Sequence, residues 1–134
     1  MRYFLIITIL FLFLPATASA WPGRIVAVID GDTIEVEPAN GGQRVRVRLH
    51  GIDAPEKRQP VGESATGFVF GFLYREVEIK EQEKSPDRYG RTVATIFFSD
   101  GDSLQAALLR NGFAWVWPRY CKNCQEWQGL QEDA

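Results

Sequence analysis

The sequence predicts an α+β domain of mainly β type: a five-stranded Greek-key barrel carrying about three helices. Three observations predict it. The first half holds three short strand-like runs, one apolar and two alternating apolar with polar residues, separated by tight-turn signals. One stretch of helical spacing then interrupts the pattern. Two further strand-like runs follow before the sequence turns helical again towards its C-terminus.

The elements follow in order. Arg24 to Ile29 is a short apolar run rich in β-formers, and Asp30-Gly31-Asp32 is a tight turn. Thr33-Ile-Glu-Val-Glu37 alternates with period two, and residues 38–42 make a second turn. In Gln43 to Leu49, Arg44, Arg46 and Arg48 share one face, and Val45, Val47 and Leu49 the other. Ala65, Phe68, Val69, Phe72 and Leu73 recur at helical spacing, which predicts a helix over Gly62 to Arg75. Strands are expected over Val77 to Gln82 and Arg91 to Phe98, joined by a polar loop. Asp102 or Ser103 can cap a helix that stops at Asn111-Gly112. Phe113 to Trp117 reads as extended, and a last helix begins near Cys124, with Trp127 and Leu130 on one face. Three strands, a helix and two strands is the order of an OB-type barrel, whose face often binds oligonucleotides. Fold alone does not give function.

The chain has 134 residues, 15 Lys and Arg against 17 Asp and Glu, and a formal net charge of −2. Residues 1–20 read as a secretory signal: Arg2, an apolar run from Tyr3 to Leu14, then Ala18-Ser19-Ala20 before the cut. The run is short for a spanning helix, which needs about 20 apolar residues. The expected product is one exported domain over residues 21–134, extracellular or periplasmic, free of the membrane and monomeric, with a C-terminal helix that looks incomplete. The acidic balance disfavours a protein that coats nucleic acid through counterion release, but not an enzyme with a local basic patch. The two cysteines, Cys121 and Cys124, read first as a small disulfide loop in an exported chain. Free thiols and a functional pair are the other readings.

Three segments carry chemistry: Asp30-Gly-Asp-Thr33, Arg48-Leu-His-Gly-Ile-Asp-Ala-Pro-Glu56 and Asp87-Arg-Tyr-Gly-Arg91. Alone, the first is a common hairpin turn. Together they suit hydrolysis of an anionic ester. Asp32 and Asp53 supply hard oxygen ligands for calcium, with backbone carbonyls and waters completing the shell. Glu56 can hold or deprotonate a water. Arg48 and Arg91 can fork onto phosphate oxygens.

These segments, with Leu108-Leu-Arg-Asn-Gly-Phe-Ala114, resemble the staphylococcal nuclease (thermonuclease) family over about Ile25 to Trp117. The resemblance implies a calcium-dependent OB-fold nuclease acting on DNA and RNA, single-stranded or frayed. It implies Asp32 and Asp53 as calcium carboxylates, Ala54 as a backbone-carbonyl ligand, and Asp30 as an acid supporting the metal shell. It implies Arg48, Glu56 and Arg91 as catalytic residues, and Arg88, Tyr89 and Tyr120 beside the nucleotide. Pro118 departs from the family pattern, which has a nucleotide-contacting tyrosine there. A catalytically silent OB-fold module that binds nucleic acid or protein is the alternative; the presence of all five core residues argues against it.

Other residues have plainer readings. Arg44 and Arg46 are expected on a solvated strand face, and His50 as a structural residue. Glu63 favours a helix N-terminus. Trp115, Trp117 and Trp127 are expected as core and interface aromatics rather than stacking platforms.

Overall fold

The structure, a computed structural model, describes residues 19–121 and 124–134. The signal-peptide reading falls almost wholly on residues 1–18 and lies outside the described residues. Five strands close a barrel in the order β1-β2-β3-β6-β5: β1 (Ala20–Asp30), β2 (Thr33–Pro38), β3 (Val45–Leu49), β5 (Glu76–Glu81) and β6 (Thr92–Phe97). A short strand β4 (Ile52–Asp53) pairs with β7 (Trp115–Val116) in a separate two-stranded sheet. The helices are α1 (Gly62–Phe70), α2 (Leu104–Arg110) and α3 (Gln125–Glu132), with a 3₁₀ turn at Pro118–Tyr120. None of the described helices is long and apolar enough to cross a membrane.

The period-two patterns become the barrel wall. Ile25, Ile34, Val36, Val47, Leu49, Ile79, Ala94 and Ile96 point inward and are fully buried. Arg44 and Arg46 stay on the solvent side, where Arg46 pairs with Glu35 at 2.9 Å. β1 is long enough to pair with β2 along one half and β5 along the other, and register shifts after Ile25 and Val28 give it the curl that closure needs. The seam is closed by β3 and β6, which run parallel.

Two bounds differ from expectation. β1 starts at Ala20 rather than Arg24, because residues 20–24 pair with β5, from Ala20 opposite Lys80 to Arg24 opposite Glu76. Pro22 and Gly23 are poor strand signals, so only the pairing reveals this stretch. α1 ends at Phe70 rather than Arg75 because the chain turns back to the barrel. Tyr74 takes a left-handed φ of 66° and its N–H donates to Ile25 O at 2.7 Å, while Ile25 N–H donates to Arg75 O. Of the two candidate caps of α2, Ser103 accepts from Ala106 N–H at 3.0 Å, and Asp102 instead pairs with Arg110. Gln105 is wholly buried, and its amide serves Ile96 N–H, Ala94 O and His50 O. It fastens α2 to β6 and to the end of β3, beneath the segment that carries Asp53.

Candidate active site

The turn joining β1 to β2 builds the first wall. Gly31 is needed there by close approach: a Cβ would sit 2.9 Å from the Cβ of Ala54 and 3.2 Å from that of Ala65. That packing sets Asp32 against the chain leaving β4. Asp32 is 8% exposed. Its Oδ2 accepts from Ala54 N–H at 3.2 Å, and its Oδ1 accepts from the Thr33 hydroxyl at 3.0 Å. Burial, followed by the hydrogen bond and charge of neighbouring Asp32, pushes the Asp30 carboxyl up to about 6.

The end of β3 builds the second wall. Gly51 takes φ 77° and turns the chain so that β4 passes back over Arg48. The guanidinium is then held from below: Nη1 donates to Leu49 O at 2.8 Å and Ile52 O at 2.9 Å. Its Nη2 faces two carboxylates at once, 3.5 Å from Asp32 Oδ2 and 3.4 Å from Asp53 Oδ1. The side chain is only 14% exposed, so its charge acts in a medium far less screening than water.

The third wall is the loop before β6. Asp87 organises it. Oδ1 accepts from the N–H groups of Tyr89 and Arg91, and Oδ2 accepts from Arg91 Nε at 2.8 Å. Arg91 Nη1 reaches Thr33 Oγ1 at 3.4 Å, so Thr33 links Asp32 to Arg91 across the cleft. Tyr89 stands 70% exposed, with the guanidinium carbons of Arg88 and Arg91 each 5.2 Å from its ring.

Glu56 sits exposed on the loop before α1. Gln59 holds its backbone from both sides, accepting from Glu56 N–H and donating to Glu56 O, each at 2.8 Å. The loop carries strain, because Val61, a β-branched residue, lies at φ 67°. Gly62 closes it, and a Cβ there would fall 1.8 Å from Glu56 O. Gly62→Ala should therefore displace the Glu56 turn. A misplacement of about 1 Å can cost about 10²-fold in rate, so kcat should fall by that order with KM little changed, as steady-state kinetics would show.

Asp30, Asp32, Arg48, Asp53, Ala54, Glu56, Arg88, Tyr89 and Arg91 all line one cleft of about 530 Å³. They come from residues far apart in sequence, as the motifs led one to expect. The side chain of Tyr120 lies outside the described part of the structure. Trp115 and Trp117 are not core residues: they are 45% and 40% exposed, and Trp117 lines the cleft. β7 lies at the surface, with only its Val116 face turned inward. Trp127 does pack against the core. His50 also lines the cleft. Burial holds its imidazole below the usual range, with Glu83 pulling the other way, and its Nε2 lies 4.0 Å from Cys121 Sγ. Cys121 and Cys124 form a disulfide, packed where a Cβ on Gly51 would be.

The sequence reading gave no role to Thr33, Asp87 or Gly62. Asp87 had a readable signal, an Asp two residues before Tyr89 in a loop, the pattern of an Asx turn. Although burial works against it, the hydrogen bonds from Arg91 and Tyr89 hold the Asp87 carboxyl below its ordinary value of 3.8. A depressed carboxyl stabilises the fold above its unfolded pKa, and that contribution is lost as pH falls through the folded value. Below pH 3.8, wild type and Asp87→Ala should thus converge in stability, whereas at pH 7 the variant melts lower. Thermal melts across this range check it.

The donors fit a hard divalent cation. Asp32 and Asp53 converge on one nitrogen, Asp30 is crowded by its neighbour, and the cleft offers carboxylates and backbone carbonyls but no thiolate. Among the described residues, however, no three His, Cys, Asp or Glu side chains already form a cage. Protein carboxylates alone would leave part of the shell to carbonyls and water.

A closed five-stranded barrel with carboxylates and arginines gathered at one mouth defines an OB-type protein with an acid–arginine cleft. A family model described as staphylococcal nuclease homologue matches residues 46–134. Protein ParB of Escherichia coli is 39% identical over 115 residues, covering 78% of this chain and 63% of that one. The micrococcal nuclease of Shigella flexneri is 34% identical over 122 residues, 85% of this chain and 68% of its own. The thermonuclease of Staphylococcus intermedius is 37% identical over 94 residues, 65% of this chain and 54% of its own. The chain belongs to the staphylococcal nuclease family. It spans roughly two thirds or less of the length of these relatives.

Proposed function

We propose that this protein is an exported, calcium-dependent nuclease that hydrolyses phosphodiester bonds of DNA and RNA. The observation that carries the reading is Arg48, pinned by two carbonyls and set between Asp32 and Asp53 in the cleft that also holds Glu56 and Arg91. Relatives named as nucleases and endonucleases support it.

Asp32 and Asp53 would hold the cation, with the Ala54 carbonyl as a further ligand and Asp30 supporting the shell. When bound, calcium neutralises phosphate charge and lowers the barrier to attack by water. Glu56 orients a water or takes its proton as the oxygen bonds to phosphorus. One P–O ester bond then breaks and the leaving oxygen departs with its electron pair. Charge on the equatorial oxygens peaks in the five-coordinate, phosphorane-like transition state, where Arg48 and Arg91 donate to it. Thr33 keeps Arg91 in register with Asp32, and Asp87 keeps its side chain extended towards the cleft. Arg88 and Tyr89 flank the bound nucleotide, and the family resemblance gives Tyr120 a nucleotide contact as well. Single-stranded or frayed substrate suits an open cleft that grips one backbone.

Incubation with covalently closed circular single-stranded DNA, and with RNA, tests the reading. Linear products from the circle would establish internal cutting. A binding module would retain both nucleic acids and release no fragments.

A further inference from the structure

The small β4–β7 sheet sets aromatic residues beside the candidate site. Ile52 opposes Val116, and Asp53 opposes Trp115. Directly opposed residues share a face of a sheet. Ile52 and Val116 are both buried, so that pair marks the inner face, and Asp53 and Trp115 mark the outer one. The pairing runs on for one more bond, Trp117 N–H to Gly51 O at 2.9 Å. By the period-two rule Trp117 shares the face of Trp115. Both indoles are close to half exposed, and Trp117 lines the same cleft as Tyr89. Partly exposed indoles on the face that displays a site carboxylate leave ring area that a flat partner can meet.

We propose that Trp117, with Trp115 beyond it, is a base-stacking track for unpaired bases of a single-stranded nucleic acid adjoining the bond to be cut. The inference rests on the nuclease reading. Indole faces take any base, so the track gives grip and a preference for unpaired strands rather than sequence. It also supplies a stacking surface next to Pro118, which has none.

The test is steady-state cleavage of a short single-stranded DNA by the full chain, its Trp117→Ala and Trp117→Tyr variants, and Trp115→Ala. A second substrate carries abasic sugars on either side of the cut. On the normal strand, Trp117→Ala should raise KM about tenfold, with the loss falling on KM rather than kcat. Trp117→Tyr should recover most of the binding, and Trp115→Ala should show a smaller rise. On the abasic strand, wild type and Trp117→Ala should have the same KM. Wild-type cutting with an unchanged KM in Trp117→Ala overturns the track and leaves the nuclease reading standing. A KM rise equal on both strands also overturns it, since the residue would then serve structure alone. A wild-type chain that neither binds nor cuts DNA overturns both.

Discussion

Replacing Arg48 with alanine is expected to cut turnover by about 10²–10³-fold, the usual cost of removing a preorganised donor to a developing oxyanion. The structure gives that loss two sources. One is the guanidinium itself, which two backbone carbonyls aim into the cleft before substrate arrives. The other is local order: Leu49 O and Ile52 O lose their shared donor, and Asp32 and Asp53 are left facing each other without the charge between them. A stability cost of about 1–3 kcal/mol should accompany it, small enough to leave a folded barrel by circular dichroism. Arg48→Lys should recover little, because an ammonium cannot serve two carbonyls and two carboxylates from one planar fork. The check is kcat for the three proteins at saturating substrate, beside their melting curves. Near-normal turnover in Arg48→Ala would remove the residue from the site.

Glu56→Gln is the second large effect. The side chain is exposed and its backbone, not its carboxylate, makes the bonds to Gln59. Glutamine preserves size and leaves the turn intact, so the melting temperature should not move. What disappears is an acceptor for the water's proton, a contribution of about 10²–10⁴-fold in rate. The contrast with Gly62→Ala is informative. That variant keeps the carboxylate but moves the turn, and it should lose rate and stability together. If Glu56→Gln kept full activity while Gly62→Ala lost it, the loop would matter and the carboxylate would not.

Much of this site was readable from the residues because turns and strands punctuate it. Asp30-Gly-Asp between an apolar β-rich run and an alternating one had to be a hairpin, and residues 48–56 had to leave a strand and turn back. The barrel followed from the order of three strands, a helix and two strands. What was not readable depends on contacts between distant segments. Nothing local in Pro22-Gly23 announces a strand, since β5 supplies the pairing. Nothing local in Gly62 announces that Glu56 O lies against it. The tryptophans misled for the same reason. Composition places indoles inside, and only the register of β7 against β4 shows which of them face out.

The most direct test is cleavage of single-stranded DNA by the chain from Trp21 onward, with calcium, then with excess chelator, then with calcium restored, alongside Asp32→Asn. Cutting that stops with chelation, returns with calcium and is lost in Asp32→Asn is the expected result. Cutting that continues in excess chelator, or that is undiminished in Asp32→Asn, would contradict a calcium site built on the Asp32 and Asp53 carboxylates.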